Sequence, residues 1–292
     1  MAQRHTDGRM RDCIACLRQA GARFLAHEGF MLAGHIAFVG ILSLFPFLIF
    51  LIALLGFFGA TEAGTYFAAF VFENMLDAVS ETIETPLIQM FQDTYGNVLT
   101  FSMIGALWAA GTGIEGVRTA VNRAYRDAGE PPVRRLPYWR RRGQSLLLVL
   151  VFSGTLLAGL LFAPYVWFLI EELFALGEDF TPPWTAIRYA FSGVLFLAAT
   201  CTLYRWLPDR RPSWRGTLPG AVLVFAGSVA FSQLFSLFID HFDTYASVYG
   251  SLSGGILSLL FFYYLSVIFI FGAEVNAVAD GMMRARHGDT KD

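Results

Sequence analysis

Long apolar runs alternate with short polar stretches along this chain. A bilayer core about 30 Å thick needs about 20 apolar residues of α-helix to cross it. Six runs reach that length, at residues 33–59, 98–120, 145–170, 186–207, 218–239 and 252–279. The pattern predicts an all-α, polytopic membrane protein with six transmembrane helices.

Two further segments have one apolar and one charged helical face. Residues 9–28 place apolar side chains among arginines, which is typical of an interfacial helix lying on the inner surface of a membrane. Residues 72–87 separate apolar from acidic positions and predict an amphipathic periplasmic helix. The predicted organisation is an N-terminal interfacial segment 1–32, a six-helix domain 33–280 with a periplasmic helical segment 60–97 and a basic cytoplasmic loop 121–144, and a tail 281–292.

Composition strengthens this interpretation. Hydrophobic side chains make up 55% of the 292 residues and charged ones only 15%, whereas soluble domains have about 45–50% and about 25%. A chain of this length with six spans has no room for a large soluble catalytic domain.

The basic residues indicate the orientation. Of the 21 Lys and Arg residues, all but Arg188 fall on one side of the predicted spans, and short loops rich in Lys and Arg stay in the cytoplasm. We therefore expect both termini in the cytoplasm, although the net charge is only −2.

This orientation can be tested by cysteine labelling in a chain whose three native cysteines have been replaced. Cysteines introduced at Ser80 or Thr181 should react with an impermeant reagent added from the periplasm, and one at Ser213 should not. Labelling of position 213 in intact spheroplasts would reverse the predicted topology.

Charged groups within the apolar runs are the first candidates for function, because a charge in lipid costs about 2.5–3.5 kcal/mol. Glu115, Arg118 and Asn122 are spaced i, i+3 and i+7 and share one helix face, where Glu115 and Arg118 can pair. One interpretation is a neutralised pair that locks two helices. The other is a polar site for an anionic head group or a proton.

Four more residues within the spans are candidates for transport or gating. Glu274 and Asn276 lie late in the sixth run, where Glu274 can reach basic groups or carry a coupling proton. His35 opens the first run, and a lone histidine there is more often a satisfied core residue than a ligand. Pro46 removes a helical N–H and is expected to kink the first span, which can shape a cavity or gate.

The arginine-rich inner surface supplies candidate contacts for a head group. Arg123 and Arg126 follow Arg118 towards the cytoplasm, so an anionic amphiphile could place its head among these three side chains while its tails remain in lipid.

The sequence lacks the motifs of several classes of enzyme. The sequence contains no G-x-x-x-x-G-K-[ST] phosphate loop, G-x-S-x-G elbow or H-E-x-x-H helix. Five scattered histidines and the isolated Cys13-x-x-Cys16 pair predict no metal site. The arginines are already explained by topology. We therefore expect no enzyme activity, no cofactor and no nucleic-acid partner.

Five short motifs resemble one family of bacterial inner-membrane proteins, the YihY/virulence factor BrkB family, which has also carried a ribonuclease-BN-like label. They are LAGHIAF at 32–38, SLFP at 43–46, NRAY at 122–125, YGSL at 249–252 and GAEVN at 272–276. His35 departs from the family's asparagine. The resemblance implies a six-helix layout and a role in envelope integrity or in transport of lipids and other amphiphiles, and the motifs above do not support the ribonuclease label.

The predicted function is transport or flipping of a lipid-like or amphiphilic anion in envelope maintenance, with membrane lipids as partners. The alternatives are a non-transporting scaffold of an envelope-assembly complex and a proton- or sodium-coupled exporter of small solutes. A lipid route predicts a cavity lined partly by Phe, an exporter predicts a buried carboxylate pair, and a scaffold predicts a filled core. Assembly as a homo-oligomer is left open.

Overall fold

The computed structural model describes residues 2–57, 96–126, 137–154, 181–210, 212–240 and 252–288. Over these ranges all regular structure is α-helical, as the sequence predicts. The helices are α1 (Ala2–Ala26), α2 (Gly29–Phe57), α3 (Gly96–Ala124), α4 (residues 138–154), α5 (Thr181–Trp206), α6 (Trp214–Asp240) and α7 (Leu252–Gly288).

Helices occupy the described parts of all six apolar runs, and for the third run only residues 145–154, in α4, are described. Within the described residues, two helical stretches, Trp214–Ile239 and Gly254–Met283, are long and apolar enough to cross a membrane. A third is added if Ile14–Ala26 and Gly29–Leu44 form one broken span. Six crossings therefore stay a prediction. The predicted periplasmic helix at 72–87 and residues 127–136 of the basic loop lie outside the described residues.

The N-terminal segment folds as a separate helix. The parts of α1 and α2 that flank the junction are bent by 70° relative to each other. Glu28 has a φ of 58° at this bend, so the backbone enters the left-handed region for one residue. On α1 the side chains of Ile14, Leu17 and Leu25 are exposed, which fits the predicted interfacial position.

Helix α7 lies at the centre of the described bundle. It packs against α1, α2, α3 and α6, while α2 also packs along α3 and α5 along α6. Small residues make these contacts close: Ala33, Ala120 and Ala273 are fully buried. Large apolar side chains such as Leu42 and Leu234 are exposed on the outside, as expected of a surface that faces acyl chains.

A close helix contact joins α6 and α7 at Gly220 and Gly272. The N–H of Gly220 donates to Asn276 Oδ1 at 2.6 Å, and Asn276 Nδ2 donates to the carbonyl of Thr217 at 3.1 Å. Pro219, which lacks an N–H, lies between these two backbone groups. Asn276 therefore bonds the α6 backbone where the proline interrupts it. Burial raises the pKa of the Tyr125 phenol that faces Asn276, so this phenol stays neutral.

Candidate functional site

The predicted pair on α3 forms part of a larger charged group shared with α4. Arg118 Nε lies 3.7 Å from Glu115 Oε1, and Arg141 Nη2 lies 3.2 Å from Glu115 Oε2. The hydroxyl of Ser145 donates to Glu115 Oε1 at 2.5 Å. Glu115 therefore accepts contacts from three side chains, two of them from α4.

Two arginines of this group are almost fully enclosed. Arg118 is 1% exposed and donates to Gln144 Oε1 and to Ser145 Oγ, each at 3.2 Å. Arg142 is 5% exposed, stacks 4.1 Å from the centre of the Trp108 ring and donates to the Trp108 carbonyl. We call Arg118, Arg141 and Arg142, together with Glu115, the arginine cluster.

The arginine cluster carries more positive than negative charge. Arg118 and Arg141 contact the single carboxylate of Glu115, and Arg142, the next residue of α4, adds a third guanidinium that contacts Trp108. Asp209 also interacts electrostatically with Arg118, and counting it still leaves one positive charge in excess. Within the described part of the chain, the Nε atoms of all three arginines are buried and have no hydrogen-bond acceptor. Buried polar atoms are normally satisfied, so these three Nε–H groups are donors for which the described residues supply no acceptor.

An apolar cavity of about 330 Å³ lies between α2, α3, α4 and α5. Its lining is Ile36, Gly40, Ser43, Leu44 and Phe47 from α2, Ala110, Gly113, Ile114 and Val117 from α3, Val149 and Phe152 from α4, and Leu203 from α5. Among the described lining residues, Ser43 alone has a polar side chain, and its hydroxyl donates to the carbonyl of Gly40 at 2.9 Å. The wall therefore offers an apolar surface that includes two phenylalanines.

The cavity and the arginine cluster share two helices. On α4, Ser145 belongs to the charged group, whereas Val149 and Phe152 line the cavity. At 1.5 Å of rise per residue, these positions lie about 6 Å and about 10 Å further along the helix. On α3, Ile114 and Val117 line the cavity and directly adjoin Glu115 and Arg118 in sequence. A charged group thus stands next to an apolar space.

Glu274 belongs to a second, separate cluster. It is fully buried and bonded by one residue of α1 and one of the turn that follows it: Arg23 Nε lies 3.1 Å from Glu274 Oε2, and His27 Nδ1 lies 2.6 Å from Glu274 Oε1. Arg23 also donates to the carbonyls of Ala124 and Arg126 at the end of α3. Among the described residues, the basic groups that contact Glu274 therefore come from the end of α1 and the turn after it. We call Glu274, Arg23 and His27 the Glu274 cluster.

The other inner-surface candidates do not join the arginine cluster. Asn122 Oδ1 accepts the N–H of Asp209 at 2.8 Å and so fixes the turn after α5. Arg123 is exposed. Arg126 offers its carbonyl to Arg23. The predicted grouping of Arg118 with Arg123 and Arg126 is thus replaced by a grouping of Arg118 with two arginines of α4.

The candidates on α2 differ in outcome. His35 is exposed, and its ring lies next to Gly116 of α3, so the expectation of a core histidine is wrong. Pro46 stands inside α2, which continues to Phe57. The kink expected at Pro46 stays a prediction.

The remaining candidate, Asn276 of α7, is buried in the contact with α6 described above.

The residues that sequence reasoning missed are Arg141, Arg142, Gln144 and Ser145 on α4, Arg23 on α1, and His27 in the turn after α1. A signal was present for α4, because Arg141 and Ser145 are spaced i, i+4. This pair places two polar groups on one helix face next to an apolar segment. Among the described residues, no group of three or more His, Cys, Asp or Glu could hold a metal ion.

Comparisons with known proteins place the chain in context. A family model described as "Virulence factor BrkB" matches residues 20–292. The ribonuclease-like protein YfkH of Bacillus subtilis is 31% identical over 269 residues, covering 91% of this chain and 95% of that protein. A UPF0761 membrane protein of Rhodospirillum centenum is 26% identical, and the match covers 94% of this chain and 59% of that protein. A UPF0761 membrane protein of Alteromonas mediterranea is 27% identical, and the match covers 83% of this chain and 80% of that protein.

No solved structure matches the chain. The names of the UPF0761 relatives and the long apolar helices agree that this is a membrane protein.

Proposed function

The chain belongs to the virulence factor BrkB family, and on that premise we propose that it carries an amphiphilic anion across a bacterial inner membrane in envelope maintenance. Both termini lie in the cytoplasm in this proposal. Transport needs no ATP hydrolysis by this chain, whose sequence lacks a phosphate loop.

The observation that carries the proposal is the apolar cavity beside the arginine cluster. An anionic amphiphile has the same two parts, a charged head and an apolar tail. Moving such a molecule through lipid alone would expose its charge to hydrocarbon, at a cost of several kcal/mol. A positive group next to an apolar space lowers that cost, because the head is solvated by guanidinium groups while the tail stays in an apolar environment.

The entry side of the arginine cluster is at Arg141 and Glu115. Their side chains are 25% and 26% exposed, whereas that of Arg118 is 1% exposed. An incoming head group therefore meets the Arg141–Glu115 pair first. The oxyanion of the head group would replace the Glu115 carboxylate as the partner of Arg141. The head would then lie close to the buried arginines, and the tail would extend towards Val149 and Phe152.

The two alternatives find less support. A scaffold is expected to have a filled core, and the cavity of about 330 Å³ weighs against it. An exporter with a buried carboxylate pair would bring Glu115 and Glu274 together, but each belongs to its own cluster and is bonded to its own arginines.

A catalytic role in RNA cleavage is not part of this proposal, although the Bacillus relative is named ribonuclease-like. Nucleic acid is bound chiefly by arginines that reach its phosphates. Here Arg118 and Arg142 are almost fully buried between helices, where a polynucleotide cannot reach them. We expect the purified chain to leave RNA intact.

The proposal is tested by reconstitution in liposomes that contain fluorescent anionic amphiphiles with one or two tails. Native protein should move at least one of them between leaflets faster than protein-free liposomes do. Arg141→Gln should slow this movement at least about tenfold, because a hydrogen bond to a charged group contributes about 1.5–3 kcal/mol.

The matched control is Arg140→Gln. Arg140 is the preceding residue of α4 and is exposed, so the same charge change there should leave the rate within about twofold of native. If native protein moves neither amphiphile faster than empty liposomes, with and without a pH gradient, the scaffold alternative replaces transport.

A further inference from the structure

We infer that the ligand of this site is a single-chain anionic amphiphile, with one tail of about a dozen carbons in the apolar cavity and an oxyanion head at the arginine cluster. The inference deepens the proposed function and rests on it for the identity of the site. It specifies the number of tails, the tail length and the head-group chemistry.

The volume of the cavity limits how many carbons the tail can have. An apolar cavity of about 150 Å³ binds benzene, a ligand of six carbons. The cavity here, at about 330 Å³, is roughly twice as large and so accommodates roughly twelve carbons. A lipid with two long tails carries more than twice that number, and its second tail would have to stay outside the lining residues.

Lining chemistry excludes a polar occupant. The hydroxyl of Ser43 already donates to the Gly40 carbonyl, and the other side chains of the lining are apolar. A sugar or peptide placed there would leave its own hydrogen-bonding groups unpaired, at a cost of about 1–3 kcal/mol each. A hydrocarbon tail leaves none.

The charge of the arginine cluster determines the chemistry of the head group. The arginine cluster has excess positive charge and three buried Nε atoms with no acceptor among the described residues. Guanidinium groups present paired donors that match the oxygens of phosphate or carboxylate. Because the cavity begins at Val149, only about 6 Å along α4 from Ser145, a long polar spacer between the oxyanion and the tail would not fit between the two parts of the site.

Native mass spectrometry of the full chain released from a non-ionic detergent counts bound ligands directly. We expect one copy of dodecyl phosphate or of dodecanoate to bind, and the comparison of the two identifies the preferred oxyanion. Hexyl phosphate and neutral dodecanol should each bind at least tenfold more weakly than the better twelve-carbon anion. Two-tailed dimyristoyl phosphatidic acid should also bind at least tenfold more weakly.

A variant of the cavity tests the tail site. Gly40→Leu should reduce binding of the twelve-carbon anion at least tenfold, because Gly40 lines the cavity and a Cβ there enters open space without meeting another atom within 4 Å. Gly105→Leu is the matched control: Gly105 also meets nothing within 4 Å but is exposed on α3 outside the lining. The Gly105→Leu protein should bind the twelve-carbon anion as tightly as native protein does. Thermal unfolding checks that both variants are folded.

Each outcome has a separate meaning. Equal binding of one- and two-tailed anions, or unchanged binding by folded Gly40→Leu, overturns the single-chain inference even if liposome transport is observed. Tight binding of dodecyl phosphate without transport of any amphiphile supports the site and overturns the proposed transport function.

Discussion

Replacing Gly220 with alanine should destabilise the protein by about 3 kcal/mol or more. A Cβ at this position would overlap the carbonyl oxygen of Gly272 and would lie 2.6 Å from the Asn276 side-chain amide. The carbonyl belongs to the backbone of α7 and cannot rotate away, so α6 and α7 would have to separate. Overpacking alone costs about 1–3 kcal/mol, and the Gly220–Asn276 hydrogen bond would be lost as well. Thermal unfolding in detergent measures the change.

The control for this substitution is Gly255→Ala. Gly255 lies in α7 and is exposed, and a Cβ there meets no atom within 4 Å. Alanine favours a helix over glycine by about 1 kcal/mol, so this variant should be as stable as native protein or slightly more stable. If Gly220→Ala unfolds at the native temperature, the close contact between α6 and α7 does not exist.

The helices could be predicted from the sequence because their cause is local. A run of about 20 apolar residues favours a helix wherever it lies in the chain, and α2, α3, α6 and α7 follow such runs closely. Helices α3 and α6 extend a few residues beyond their runs at both ends. At the start of α6, for example, the hydroxyl of Ser213 accepts the N–H of Gly216 at 3.0 Å and caps the helix.

The charged clusters could be predicted only where their partners are neighbours in sequence. Glu115 and Arg118 are three residues apart, so helical geometry alone indicates their pairing. Arg141 meets Glu115 across 26 positions of sequence, and Arg23 meets Glu274 across 251. Such contacts depend on which helices pack together. The positive-inside rule already accounted for these arginines, so composition gave no reason to assign them a second role.

The lipid route predicts a cavity, but its position and volume could not be predicted from the sequence. Its walls come from four helices, and its volume is what remains after their side chains have packed. Gly40 and Gly113 indicate only that α2 and α3 can approach each other. Neither residue indicates whether the space between the helices is filled.

The two clusters meet different structural needs. In the arginine cluster, positive charge exceeds negative charge and one side is partly exposed, which suits exchange of an anion. In the Glu274 cluster, the carboxylate is fully buried and both of its oxygens are bonded. Because Arg23 also bonds carbonyls at the end of α3, this second cluster holds α1, α3 and α7 together. We therefore assign Glu274 a structural role and expect its loss to affect the stability of the protein more than its choice of anion.

Glu274→Gln should accordingly lower the free energy of unfolding by about 3–5 kcal/mol, the usual cost of removing one partner from a buried ion pair. Arg23 would keep its two carbonyl acceptors but would lose its counter-charge, and His27 would lose its contact at 2.6 Å. Without these bonds, α1 is held to α7 mainly by apolar contacts such as that of Ala20 with Val275. Thermal unfolding in detergent should show the loss, and hydrogen exchange of the α1 amides should become faster.

The matched control is Glu28→Gln, which removes the same charge from an exposed residue beside His27 and should change stability by less than about 0.5 kcal/mol. The double change Arg23→Met with Glu274→Gln should recover much of the loss, since it removes both buried charges together. Additive losses in the double variant would show that Arg23 and Glu274 do not stabilise each other. Native stability of Glu274→Gln would show that α1 is held without this carboxylate, and the role of Glu274 in transport would then have to be reconsidered.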